Sequence, residues 1–110
     1  MSTETKAQPE GLDEKFFERA DAHINLANDH INAKVEPQLA GTSFMFASAR
    51  FNAWISASGF QNGEELRGRK KDLIEYFTNQ YVSMLEENLD NYADNYDLYM
   101  GIAQEQAKDS

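Results

Sequence analysis

The chain of 110 residues has a net charge of −9 at pH 7, is 41% hydrophobic and contains no cysteine. Its apolar content is too high for a disordered protein, and no stretch approaches the roughly 20 apolar residues of a transmembrane helix. The lack of cysteine excludes thiol catalysis, thiolate zinc sites and iron–sulfur clusters. The acidic balance argues against nucleic-acid and membrane partners, and the sequence predicts a soluble cytoplasmic protein.

The charges are distributed unevenly along the chain. Residues 34–71 carry six bases and three acids, whereas residues 72–110 carry one base and nine acids. The polar composition of the first 11 residues predicts a disordered N-terminal tail, and residues 108–110 are predicted to be a disordered C-terminus. Between them, residues 12–107 are predicted to form a single helical domain.

Two helices are predicted in the first half of the chain. Helix A, over about residues 13–33, is indicated by apolar residues at steps of three and four: Phe17, Ala20, Ile24, Ala27 and Ile31. Pro37 has no backbone N–H, so the sequence predicts a connection over residues 34–41. Helix B, over about residues 43–58, is apolar around most of its circumference, which predicts a helix buried on several sides at the centre of the core.

A third helix, helix C, is predicted to begin at Asn62, with Glu65 completing a capping box. Its apolar spacing continues through a series of tyrosines, although weak helix formers predict a break over residues 90–95. A short fourth helix is predicted from about residue 95 to residue 106. The expected fold is all-α, with three main helices in a small bundle and this short C-terminal helix.

Four separated motifs give the chain a family resemblance. They lie at residues 16–21 (FFERAD), 49–53 (ARFNA), 76–81 (YFTNQY) and 84–92 (MLEENLDNY). In this order they resemble a family of short proteobacterial proteins of unknown function. The resemblance implies a small, independently folded helical domain in a bacterial cytoplasm, and it implies no catalytic residues because the family has no assigned activity.

Arg50 and Asn52 interrupt the apolar helix B and suggest two interpretations. A buried guanidinium needs carboxylate partners, so Arg50 could form a structural ion pair with an acid on a neighbouring helix. The candidate partners are Asp21, Glu87 and Asp90. Alternatively, a pocket between helices B and C could bind an anion or small molecule through Arg50, Asn52, Trp54 and Tyr81.

Two histidines on helix A do not have the spacing of a metal site. His23 and His30 are separated by seven residues, a helical rise of about 10.5 Å, which is nearly twice the rise of the pairs found in helical zinc motifs. We therefore interpret them as ordinary histidines at the edge of the apolar stripe. No cofactor, metal site or catalytic residue is predicted.

The charges of helix C suggest an interface between two copies of the chain. A basic cluster near its start and acidic residues near its end oppose the helix dipole, and antiparallel pairing of two helices would relieve both ends, with the tyrosines supplying the apolar contact. The predicted interface residues are Arg67, Arg69, Lys70, Lys71, Glu87, Asp90, Tyr92, Tyr96 and Tyr99. Pairing within one chain, or simple solvation of the charges, is the alternative.

The leading functional hypothesis is a non-enzymatic interaction or regulatory module that forms a homodimer. Its acidic and aromatic helical surface would suit a basic protein or peptide partner. The alternative is a protein that binds a small molecule or anion near Arg50, which would include an enzyme. Nucleic-acid binding through the basic cluster ranks last because of the negative total charge.

Overall fold

A computed structural model of the chain describes residues 13–101, and every regular element in this range is α-helical. The all-α prediction is therefore confirmed. The predicted disordered termini, at residues 1–11 and 108–110, lie outside the described residues. Residues 96–101 are helical, and they follow four helices: α1 (Phe16–Asp29), α2 (Pro37–Ala57), α3 (Gly63–Gly68) and α4 (Lys70–Asp94).

Helix α1 is tied to the residues before it by an ion pair. Arg19 Nη2 donates to Asp13 Oδ1 over 2.9 Å, and this hydrogen bond holds the pKa of Asp13 below its ordinary value. The helix ends four residues before the predicted end at residue 33. A turn replaces the last helical residues, because Asn32 Oδ1 accepts hydrogen bonds from the backbone N–H groups of Lys34 and Val35.

Helix α2 begins at Pro37, six residues before the predicted start of helix B. Proline occupies the first turn, where its missing N–H would have had no partner within the helix, so Pro37 starts the helix instead of preventing it. Thr42 lies inside the helix, and its Oγ1 donates to the Gln38 carbonyl over 3.1 Å. The prediction of a connection reaching residue 41 is therefore wrong.

The predicted helix C is divided into two helices. Asn62 caps α3 as expected, since its side chain accepts from the Glu65 N–H over 2.9 Å, while Glu65 Oε1 accepts from Gln61 N–H over 3.0 Å. The helix then ends at Gly68, and the Arg69 N–H donates to a carbonyl three residues back, in the tighter 3₁₀ geometry. Helix α4 begins immediately afterwards.

The C-terminal end of α4 is marked by a local side-chain hydrogen bond. The Asn95 amide donates to the backbone carbonyl and to the side-chain oxygen of Asn91, both over 2.9 Å. Backbone bonds of helical spacing nevertheless continue, because Asn95 N–H donates to Asn91 and Tyr99 N–H donates to Asn95. The break predicted over residues 90–95 is confined to Asn95, because the residues on both sides of it are helical.

The described chain forms two compact parts, residues 13–73 and residues 74–101. In the first part, α2 contacts both α1 and α3. The prediction of a single domain over residues 12–107 stays a prediction. None of the helices in the described range is long and apolar enough to span a membrane.

Burial within the described chain is very limited. Ala40, at 4% exposure, is the only described residue that is buried. Phe46 and Trp54 keep 66% and 65% of their surface exposed, so α1 and α3 do not enclose α2 within residues 13–73, and the prediction that helix B lies at the centre of a core stays a prediction. Contacts with α1 and α3 therefore leave much of the apolar surface of α2 exposed.

Candidate functional site

A groove of about 530 Å³ lies between α1 and α2. Its floor includes Ala40, the buried residue described above, and its walls are mostly small or aromatic side chains. The His23 and Phe44 rings lie in the groove with their centroids 6.2 Å apart. The lining residues are His23, Leu26, Ala27, His30, Ala40, Ser43, Phe44, Ala47, Ser48 and Phe51.

The polar groups of this groove are of two kinds. His23 belongs to α1, His30 directly follows that helix, and two serines belong to α2, while no aspartate, glutamate, lysine or arginine lines the groove. Across residues 13–101, no cluster of three or more histidine and carboxylate side chains could hold a metal ion. The groove therefore offers hydrogen-bonding groups without a permanent charge.

Arg50 and Trp54 project from one face of α2, four residues apart, whereas Asn52 lies on a different face. Arg50 is exposed and forms no salt bridge within residues 13–73, so its charge does not require a buried partner such as Asp21. The centroid of the Trp54 ring lies 5.8 Å from that of Phe51, which lines the groove. The predicted pocket that combines these residues with Tyr81, which belongs to the other part, stays a prediction.

Helix α4 carries a long stripe of exposed apolar and tyrosine side chains, which we call the α4 stripe. Its members recur at helical spacing and are 38–60% exposed. Near its end, the Tyr92 and Tyr99 rings lie 4.8 Å apart. The α4 stripe consists of Ile74, Tyr81, Leu85, Leu89 and Tyr92, continued by Tyr96 and Tyr99.

The predicted basic and acidic interface residues lie at different places around the helices. Arg67 lies in the last turn of α3, Arg69 pairs with Asp72 over 3.2 Å, and Lys70 and Lys71 occupy the first turn of α4. The last turn of α4 contains no base.

Two predicted acids lie away from the α4 stripe. At about 100° per residue, Glu87 and Asp90 lie roughly 140–160° around the helix from it. At the same spacing, Lys70 and Lys71 fall at the two edges of the arc of the α4 stripe, whereas these acids fall on the opposite face.

Comparison with known proteins assigns the chain to a family. The family described as "Protein of unknown function (DUF3144)" matches residues 16–93, which is most of the chain. The chain belongs to the DUF3144 family. The resemblance inferred from the four sequence motifs is therefore confirmed.

A solved structure supports the same assignment. The NMR structure of the protein NB7890A from Shewanella sp. is 32% identical in sequence, and the similarity covers 83% of this chain and 96% of that protein, with a TM-score of 0.69. Comparison with curated proteins gives no match. This DUF3144 protein is thus a small helical protein of a family without an assigned activity.

Sequence reasoning missed the groove between α1 and α2. His23 and His30 were interpreted as ordinary edge histidines, and the structure places both in its lining. A signal was available in α2, where alanine and serine recur every three or four residues at Ala40, Ser43 and Ala47. Such a row of small side chains leaves room beside a neighbouring helix.

Proposed function

We propose that this DUF3144 protein is a non-enzymatic interaction module that acts as a homodimer. The observation that carries the proposal is that most large apolar side chains of residues 13–101 are exposed, while Ala40 alone among these residues is buried. Soluble monomers rarely expose continuous apolar surface of this extent, because burying it is the main source of their stability. A second copy of the chain would cover that surface.

The width of the apolar surface on α4 supports contact with a second copy. Phe77 and Met84 form a half-buried apolar strip on this helix. The exposed α4 stripe lies beside it, and at 100° per residue the two together span about 140° of the circumference. A helix that packs on one neighbouring surface needs an apolar arc of about 100°. The additional arc is what a second neighbour would bury.

The charges of α4 favour an antiparallel arrangement of the two copies. With a two-fold axis near residue 83, Lys70 of one copy lies opposite Tyr96 of the second copy. The lysine ammonium can then contact the faces of tyrosine rings, and it approaches the negative end of the second helix's dipole. A parallel arrangement would instead place the lysines of both copies together.

The acidic face of α4 would remain outside this dimer. Glu87 and Asp90 lie on the face opposite the α4 stripe, where pairing of the two helices leaves them exposed. Such a surface suits a basic protein or peptide, and we include this partner and a cytoplasmic location in the proposal. The cysteine-free composition supports that location.

Cysteine cross-linking on the native background tests the proposal, since the chain contains no cysteine. Thr78 is an exposed polar residue within the arc of the α4 stripe, and Asn88 is an exposed polar residue beside it. In the antiparallel register, Thr78 of one copy faces Asn88 of the other. We expect Thr78→Cys and Asn88→Cys, each prepared alone, to form disulfide-linked dimers in good yield only after the two variants are mixed and oxidised.

Sedimentation velocity of the unmodified protein at low and high concentration provides the companion measurement. A dimer combined with cross-linking only in the mixture supports the proposal. Efficient cross-linking of Thr78→Cys with itself would show a parallel arrangement and contradict the register. A monomer at all concentrations would overturn the proposed homodimer.

A further inference from the structure

We propose that the groove between α1 and α2 is a binding site for a small, uncharged aromatic molecule that carries a hydroxyl group. The groove shares no residue with the α4 stripe. The inference follows from the size of the groove, from the rings and polar groups in its walls, and from the absence of permanently charged side chains among the residues that line it.

The size and composition of the groove fit a small molecule. Its volume of about 530 Å³ lies within the range of roughly 300–1,000 Å³ that is typical of small-molecule sites. Such sites are mainly apolar and contain a few polar groups that orient the ligand. Here the apolar surface comes from Leu26 and alanines, and the rings of Phe44 and Phe51 provide faces on which an aromatic ligand can pack.

The electrostatics of the groove select an uncharged ligand. A charged molecule would lose hydration on entering the groove and would find no lysine, arginine or carboxylate in the lining to compensate. The protein as a whole carries a net charge of −9, which also disfavours anions. Neutral aromatic molecules avoid both costs.

The polar side chains that line the groove indicate that the ligand carries a hydroxyl group. An imidazole can accept or donate a hydrogen bond, and a serine hydroxyl can do both. His23 lies on α1 beside Phe44, while Ser43 and Ser48 line the groove from α2. A hydroxyl on an aromatic ligand can therefore bond to groups of either wall while its ring contacts phenylalanine.

Three probe molecules of similar shape test this assignment. The protein labelled with nitrogen-15 is titrated with 4-ethylphenol, ethylbenzene and 4-ethylbenzoate, and the shifts of backbone amide signals are followed by NMR. We expect saturable shifts at α1 and α2 residues around the groove. The phenol should bind at least about fivefold more tightly than ethylbenzene, and the benzoate should bind most weakly, because a lost hydrogen bond or an unpaired charge reduces affinity.

A matched pair of variants on α2 locates the site. Ala47 lines the groove, whereas Ala49 is exposed on the other side of the same helix. Ala47→Phe fills the groove and should weaken 4-ethylphenol binding at least tenfold, while Ala49→Phe should leave it within about twofold. Circular dichroism of both variants establishes that helical content is retained.

A third variant keeps the test decisive if Ala47→Phe does not fold. His23 is exposed, so His23→Leu should fold normally, and it should remove most of the preference for 4-ethylphenol over ethylbenzene. Equal weakening in Ala47→Phe and Ala49→Phe would show nonspecific binding to exposed apolar surface and would overturn the proposal. Absence of saturable binding in the unmodified protein would overturn it as well, including the case in which a second copy covers the groove.

Discussion

The two compact parts of the chain differ most clearly in charge. Residues 13–73 contain nine acids and eight bases, whereas residues 74–101 contain six acids and no base. The first part is therefore almost neutral and holds a concave groove, while the second carries an exposed apolar stripe opposite an acidic face.

This contrast explains why the two parts suit different contacts. The nearly neutral first part can hold an uncharged molecule without an electrostatic cost. Two copies of the second part repel each other through their acids, so the proposed homodimer would need apolar burial and bases from outside this part to hold it together. Lys70 and Lys71, in the first turn of α4, are the nearest such bases along the chain.

The largest expected effect comes from a charge placed in the α4 stripe. Leu85→Glu would bury an unpaired carboxylate in the proposed interface. We therefore expect the dissociation constant of the dimer to rise at least about 100-fold. Sedimentation velocity over a range of concentrations measures the change. A weaker dimer supports the assignment of the α4 stripe to self-association, and an unchanged dimer contradicts it.

Asn79→Glu is the matched control for that variant. Asn79 is exposed on the acidic side of the same helix, so the added charge should leave the dissociation constant within a few fold. Equal dissociation in both variants would mean that total charge, and not the α4 stripe, governs assembly.

A smaller effect is expected at the cap of α3, in the first part. Asn62→Ala removes the side-chain hydrogen bond to the Glu65 N–H and should lower the free energy of unfolding by about 1 kcal/mol. Urea denaturation followed by circular dichroism measures this loss. Asn62→Ser retains a capping oxygen and should recover most of the stability, whereas equal losses in the two variants would exclude the cap as the cause.

The smallest effect concerns Asp13, whose pKa is lowered mainly by the hydrogen bond from Arg19. Because the folded-state pKa is depressed, this pair stabilises the fold above the ordinary aspartate pKa, and the contribution is lost as pH falls through the lowered value. Arg19→Ala should raise the pKa of Asp13 towards its ordinary range, as measured by NMR titration of the carboxyl carbon.

Lys15→Ala serves as the control for Arg19→Ala. It removes a neighbouring base that pairs with Glu18 over 3.5 Å and should change the pKa of Asp13 less. An equal shift in both variants would mean that general charge, and not the hydrogen bond, lowers this pKa.

Helical periodicity predicted most of the fold, but not the exact ends of the helices. The position of α1 follows from apolar spacing, and the Asn62 cap was identified from the residue types alone. The errors in the helix ends arose at residues that are compatible with two local structures. Pro37 can break a helix or begin one, and the sequence does not show which of these its neighbours favour.

The candidate sites were predicted less completely, because they depend on contacts between helices. The α4 stripe was visible as tyrosines at steps of three and four residues. The groove was not, because it is formed by the distance between α1 and α2, and His23 and Ser43 are brought together only by the packing of those helices.

Ala40 is the one buried side chain among residues 13–101, and this has a consequence for how the protein behaves in a cell. If assembly supplies the missing apolar burial, folding and association become one equilibrium, and stability then depends on the amount of protein present. Dilution would favour the unfolded chain, which cellular proteases remove. The abundance of the protein would thus determine the fraction of chains that stays folded and escapes proteolysis. Below a certain expression level, little functional protein would remain.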